Sequence, residues 1–281
     1  MNVVVLIKQV PDTTNVRIDR KTNNLVREGV PSVINPDCMH ALELAAQLKE
    51  KHNATVYVIT MGPPQAINAL KDAISFGLDE AVLLSDRAFA GADTLATTYT
   101  LYKGIKKIEE KIGKIDIVLA GRQAADGDTG QVGPGVATRL GYSLAAYVTS
   151  IEKIEKDEII LTRRLDRGYE KVRVKIPCVL TVTPELNEPR YASLPNLIRS
   201  LRYQPIVWNK DDINADPKKA GFFGSPTRVV NTNIPPARKG GDIISKNESP
   251  EIAAQKLLDE LKKFESIRLI EGLRVLVGDK K

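Results

Sequence analysis

Residues 115–140, IDIVLAGRQAADGDTGQVGPGVATRL, hold the residue types most suited to binding chemistry in this chain. A short apolar run ends at Gly121, glycines recur at 127, 130, 133 and 135, and a helical pattern follows from about Val136. Strand, glycine loop and helix place free backbone N–H groups and the positive end of a helix dipole beside an anion such as phosphate. Glycines at these points permit positive φ and close approach of a ligand. The loop lacks GxxxxGK[ST], so a Walker-type triphosphate site is unsupported, and it lacks a GxGxxG opening directly off the strand. From the residues alone it reads either as a nucleotide-phosphate cradle or as a plain surface connection.

Asp126 and Asp128 sharpen that choice. A carboxylate about 4 Å from a phosphate is repelled by about 4 kcal/mol at an effective dielectric near 20. An exposed helix N-terminus returns only about 0.3–1 kcal/mol. The two acids are therefore expected to turn away into tight turns, caps or ribose hydroxyls. That leaves backbone amides, Thr129 and Gln131 for the ligand. A purely structural turn role for Asp126 remains equally open.

Composition removes other chemistries. The 281 residues are 42% hydrophobic and 27% charged, enough for one large or two small soluble domains. Cys38 and Cys178 stand apart with no CxxC, and His40 and His52 fall in one helical segment. No metal centre and no histidine-based catalytic triad is expected, so any redox chemistry must come from a bound organic cofactor. No apolar run approaches the 18 or more residues of a membrane span. The start MNVVVLIKQV reads as a first strand and not as a signal peptide, which points to the cytoplasm. The net charge of +6 includes a cluster at Arg163, Arg164, Arg167, Lys171, Arg173 and Lys175, but aromatic residues do not interleave with it. Nucleic acid is therefore not an expected partner. A solvated strand face or an acidic protein partner fits the cluster better.

The elements that must position the loop alternate along the first half. Strands are expected at Val3–Ile7, Thr55–Thr60, Ala81–Leu84 and Ile115–Ala120. A helix begins with Asn35 as N-cap and Pro36 at N1, and buries Ala41, Leu44, Ala45 and Leu48 along one stripe. Further helices are expected over Pro64–Phe76, ending at Gly77, and over about Asp93–Ile112, ending at Gly113. This alternation predicts an α/β fold, a parallel sheet with helices on both faces and ligands beyond the carboxyl ends of the strands. Four polar, small-residue loops then converge on one rim, among them Lys8 to Thr13, Met61 to Pro64, and the turn containing Gly91, Asp93, Thr94 and Thr97. For Asp93 and Thr94 simple N-capping is the alternative.

Beyond residue 146 the pattern changes. Tyr147–Ile154, Glu158–Arg164 and Tyr169–Ile176 read as antiparallel hairpin strands, with a further strand at Cys178–Thr183. Leu194, between Ser193 and Pro195, is expected as an exposed apolar residue on a stiffened loop. Residues 206–248 read as an extended arm, and about Pro250–Phe264 as an amphipathic helix that needs a partner to pack on. The expected division is a nucleotide-binding domain over 1–205, with a partner-recognition loop near 184–200, and a C-terminal arm and helix over 206–281.

Several segments together resemble the β subunit of electron transfer flavoproteins, the FixA family. They are VLIKQVPDT, the Asn35-Pro36 helix entry, GRQAADGDTGQVGP, RRLDRGYEKVRVKIPCVLTV and NEPRYASLPN. The resemblance implies a Rossmann-like domain, an obligate α subunit that packs against residues 206–281, and no catalytic side chain in this chain. It implies an adenine-nucleotide site bordered by Leu6, Lys8, Asn35, Cys38 and Met61. Gly121, Arg122, Gln123, Ala124, Asp126, Gly127, Asp128, Thr129, Gly130, Gln131 and Val132 would lie around the phosphates. KQVPDT, GADTLAT and DGDTGQVGP resemble the electron-bifurcating group, in which the site holds FAD; the alternative is the respiratory group, a non-bifurcating carrier in which the site holds a structural AMP. Gly91, Asp93, Thr94 and Thr97 would then line its diphosphate. Gly130 stands where many relatives carry Ala. The implied activity is acceptance of hydride from NADH, within the complex only. Electrons are then divided between the α-subunit FAD, serving an acyl-CoA dehydrogenase-type or quinone-reducing partner, and ferredoxin or flavodoxin. Leu194 matches the family's docking leucine.

Overall fold

A computed structural model describes residues 1–12, 17–18, 25–26, 31–227 and 249–262. The chain divides into two units, Met1–Arg228 and Val229–Lys281. In the first, Val- and Ile-rich runs with no polar face form strands buried on both sides. They are β1 (Asn2–Leu6), β6 (Thr55–Met61), β7 (Glu80–Leu84) and β8 (Ile117–Gly121). Short strands β2 (Gln9–Pro11) and β5 (Ser32–Ile34) pair antiparallel, as do β3 (Arg17–Ile18) and β4 (Leu25–Val26). After β8 come β9 (Ser143–Ile154), β10 (Glu158–Leu165), β11 (Gly168–Lys175), β12 (Cys178–Val182) and β13 (Ile206–Trp208).

The main sheet has nine strands in the order β11-β10-β9-β12-β8-β1-β6-β7-β13. From β9 to β13 in that order all neighbours run parallel, and β10 and β11 extend the sheet as an antiparallel hairpin. The chain leaves β1 toward β6 and β7, then returns to the other side of β1 with β8. The strand order therefore reverses between β1 and β8, the point at which open α/β sheets form a ligand crevice.

Helices cover both faces. Val3 and Val5 of β1 face α1 (Pro36–His52) and α2 (Ile67–Ile74) in one core, where Leu42, Leu70 and Ile74 are fully buried. Val4 and Leu6 face α3 (Thr94–Ile112) and α4 (Val132–Leu140) in the other, with Ile105, Ile108 and Val136. The α/β fold, the covered parallel sheet and the antiparallel hairpin are as the sequence predicts.

The differences have local causes. The segment Pro64–Phe76 is a short 3-10 turn over Pro64–Ala66 followed by α2. Helix α4 starts at Val132, four residues before its expected start, because tertiary packing overrides the poor helix propensity of Gly-Pro-Gly. Leu194 opens a helix, α5 (Leu194–Arg202), whose start Ser193 caps by accepting from the Asn196 amide. Residues 206–227 contribute to this unit, with β13 on β7 and Trp208, Ile213 and Ala220 buried against α3 and its core. Positions 228–248, the rest of the expected arm, lie outside the described residues, as do Thr13 and Phe264. The second unit contains α6 (Pro250–Lys262). No described helix is long and apolar enough to cross a membrane.

Candidate functional site

Parallel register brings the expected loops to one rim. Leu6 lies opposite Ile59 and Ala120, Met61 opposite Leu84, and Gly121 opposite Val182. The segments containing Lys8, Met61, Gly91–Thr97 and Gly121–Val132 therefore all leave the carboxyl edge of the sheet.

The glycine loop is held from below by α1. Asn35 occupies the N-cap position and is 1% exposed, but its side chain makes no cap bond. Its Nδ2 donates to the Gln123 carbonyl and its Oδ1 accepts from the Ala125 amide, both at 2.8 Å. Asn35 is thus a latch on a loop 88 residues away. Asp37 in the same turn accepts from Arg122 Nε at 3.1 Å. Cys38 is buried beneath them, and burial pushes its thiol up despite the Asn35 hydrogen bond.

Both loop carboxylates are occupied by the chain's own donors. Lys8 Nζ lies 2.8 Å from Asp126, and Asp128 accepts from Gln123 Nε2. The Ala124 carbonyl accepts from the Asp128 amide at 2.8 Å, closing a turn with Asp128 at φ 55°. Thr129 and Gln131 are exposed, and Gln131 precedes α4 without a side-chain cap. The first-turn amides of α4 are left pointing out of the helix, available to an anion.

The glycines divide differently from the expectation of a freely bending loop. Gly130 alone among the five has positive φ, at 64°. A Cβ on Gly121 would lie 2.7 Å from the Asp37 carbonyl carbon and 2.8 Å from the Cys38 nitrogen. One on Gly133 would meet Thr181 Cγ2 at 2.4 Å, and one on Gly135 would meet Thr98 Cγ2 at 2.6 Å. These three are small so that α1 and α4 can press against β8, β12 and α3. Close packing, not loop freedom, fixes the cradle.

The Gly91–Thr97 turn is more enclosed. Asp93 caps α3 through the Ala96 amide at 3.0 Å, and its second oxygen accepts from the amide and hydroxyl of Thr227. Burial raises its pKa, but these hydrogen bonds outweigh that penalty and hold it below the usual carboxylate value. Gly91 has φ 70°, with Phe222 packed where a side chain would begin. Thr94 opens α3, and the Thr97 amide donates to the Asp93 carbonyl. Leu194 stands apart from the rim on α5, 69% exposed.

Sequence reasoning missed Asp37, Thr227, Tyr147 and Ser225, whose hydroxyl accepts from the Asp93 amide at 2.8 Å. Tyr147 has φ 60° and places its hydroxyl beside Gly130, with no sequence signal to announce it. The basic cluster on β10 and β11 is largely neutralised by Glu170, Glu185, Glu152 and Glu158, which favours the solvated strand face over an acidic partner. Among the described residues no group of His, Cys, Asp and Glu could hold a metal ion.

A family profile described as the electron transfer flavoprotein domain matches residues 22–207. The chain is 47% identical to the caffeyl-CoA reductase-Etf complex subunit CarD of Acetobacterium woodii, over 93% of this chain and 98% of that one. It is 48% identical to the electron transfer flavoprotein subunit beta of Clostridium acetobutylicum, over 92% and 99%. With protein FixA of Azorhizobium caulinodans the identity is 44% over 85% and 86%.

Proposed function

The chain belongs to the electron transfer flavoprotein family as a β subunit, the partner of an α subunit, and from that premise we propose that its rim binds FAD in an electron-bifurcating complex. The observation that carries nucleotide binding is the uncapped start of α4 behind a latched loop whose two carboxylates are already occupied. Such a cradle suits phosphate, with Asp126 offset by Lys8 and Asp128 turned back onto Gln123. Backbone amides from Gly130 to Gly133 hold the phosphates, Thr129 and Gln131 supply side-chain donors, and Leu6, Lys8, Asn35, Cys38 and Met61 border the adenosine. Gly91, Thr94 and Thr97 add the second flank that a diphosphate needs. When bound, FAD supplies the redox chemistry: hydride acceptance from NADH and division of the pair between the α-subunit FAD and ferredoxin or flavodoxin. The chain's own residues bind and orient, and none acts as acid, base or nucleophile.

The relative named as part of a caffeyl-CoA reductase complex supports a CoA-ester reductase or dehydrogenase as the partner of the α-subunit flavin. Leu194 on α5 is the docking anchor in this reading. Exposed Ile252, Leu257, Leu258 and Leu261 of α6 supply an apolar side for the α subunit. A second reading has its own observation. Asp93 already occupies the α3 amides, leaving one open helix start, which suits the single phosphate of a structural AMP. Anaerobic addition of NADH to the purified heterodimer separates the two. The bifurcating reading predicts loss of flavin absorbance at 450 nm, about the flavin maximum. Unchanged absorbance contradicts it and leaves a simple electron carrier.

A further inference from the structure

Helix α5 is packed inside out. Leu194, Leu197, Ile198 and Leu201 face solvent, while Ser200 is buried and Arg199, itself exposed, reaches back to the Leu78 carbonyl. Water drives an isolated amphipathic helix the other way, apolar side inward. Something polar must therefore hold it.

Two sets of contacts do so. Upstream, Arg190 forks onto Glu43 of α1, with Nε 2.7 Å from Oε2 and Nη2 2.9 Å from Oε1. The Arg190 amide also donates to Glu43 Oε2 at 3.1 Å, and Glu50 takes the outer side of the guanidinium. Glu43 is only 4% exposed, and Gln47 donates to it as well. His40 Nδ1 faces two acceptors of Asn187, the carbonyl and Oδ1, so it carries the proton, and Asn187 Nδ2 donates back to the His40 carbonyl. His40, Glu43, Gln47 and Glu50 form one polar stripe at helical spacing along α1. Downstream, Arg199 donates to the Leu78 and Asp79 carbonyls at 2.8 and 2.9 Å. Tyr203 donates to Glu80 at 2.6 Å and accepts from the Ala81 amide at 2.8 Å.

We propose that Glu43, Arg190 and Arg199 are positioning residues for docking, holding α5 with its apolar ridge already turned outward and touching no partner themselves. The role rests on the reading of Leu194 as docking anchor. A preordered ridge avoids the ordering cost that a flexible loop incurs on binding. Burial would raise the Glu43 carboxylate, yet its bonds from Arg190 and Gln47 outweigh that and hold it charged. Cutting one partner leaves the other charge stranded, which is far costlier than removing both.

The test uses the full chain in complex with its α subunit, in the variants Arg190→Ala, Arg199→Ala and the doubly neutral pair Glu43→Gln with Arg190→Met. The readout is hydrogen exchange of the amides over 191–202, with KM and kcat for the partner dehydrogenase. Each single variant is expected to speed exchange of α5 roughly tenfold, with KM raised and kcat and bound nucleotide retained. The doubly neutral variant, which strands no charge, is expected to fold normally and still show faster exchange. Unchanged α5 exchange in Arg199→Ala and in the doubly neutral variant overturns the proposal. Leu194→Ala separates the two ideas. If it leaves partner reduction intact the docking reading fails, while the exchange data still decide what holds the helix.

Discussion

Replacing Asn35 distinguishes a latch from a helix cap. Asn35→Ala removes two hydrogen bonds of 2.8 Å to the glycine loop and strands the Gln123 carbonyl and the Ala125 amide beside a residue that is 1% exposed. Each such bond contributes about 1 kcal/mol net, so the loop loses about 2 kcal/mol of its preference for the bound form. That corresponds to a roughly thirtyfold weaker affinity for the nucleotide. Asn35→Ser is the discriminating variant. Serine is as good a cap as asparagine, so a capping role predicts full recovery. A serine hydroxyl cannot span both loop partners, so the latch predicts that Ser behaves like Ala. The assay is calorimetric titration of the nucleotide-depleted complex with the nucleotide it copurifies with. Affinity within twofold of wild type in both variants, or full recovery in Asn35→Ser, would refute the latch.

Other consequences follow from the same geometry. Gly133→Ala forces a methyl against Thr181 Cγ2 and is expected to cost about 1–3 kcal/mol in thermal denaturation, with Thr181→Ser in the same chain recovering much of it. Leu194→Ala should change folding stability by less than about 0.5 kcal/mol, because the side chain is 69% exposed, yet slow transfer to the dehydrogenase. Loss of bound nucleotide in that variant would mean that α5 supports the site. Asp93 has a folded-state pKa below its ordinary 3.8, so its contribution is complete above that value and fades as pH falls through the folded value. Asp93→Asn should therefore destabilise at neutral pH and approach wild type in strong acid, as followed by denaturant unfolding. A difference independent of pH would remove the carboxylate from the explanation.

The sheet and its covering helices were legible because strands buried on both faces are continuous apolar runs, and α1 announces itself with Asn35-Pro36. What Asn35 does was not legible. Its partners, Gln123 and Ala125, come beside it only when β1 and β8 pair. The same holds for Gly121, Gly133 and Gly135, whose neighbours Asp37, Thr181 and Thr98 are distant in sequence. Sequence spacing suggested loop freedom, and packing supplied the actual reason for the missing side chains. Helix α5 did carry a signal, Ser193 before a proline at the second helical position and apolar residues at 194, 197, 198 and 201. Its outward ridge could not be read, since periodicity gives the face but not its direction. The strand β13 is too short for any periodic pattern to mark it.

The proposed function puts FAD at the rim and the second reading puts a structural AMP there, and extraction of the nucleotides from the copurified heterodimer decides between them. Acid release, followed by chromatographic quantification of FAD and AMP per heterodimer, is expected to give two FAD and no AMP. One FAD with one AMP would contradict bifurcation by this chain and make it a structural and docking subunit of a simple electron carrier.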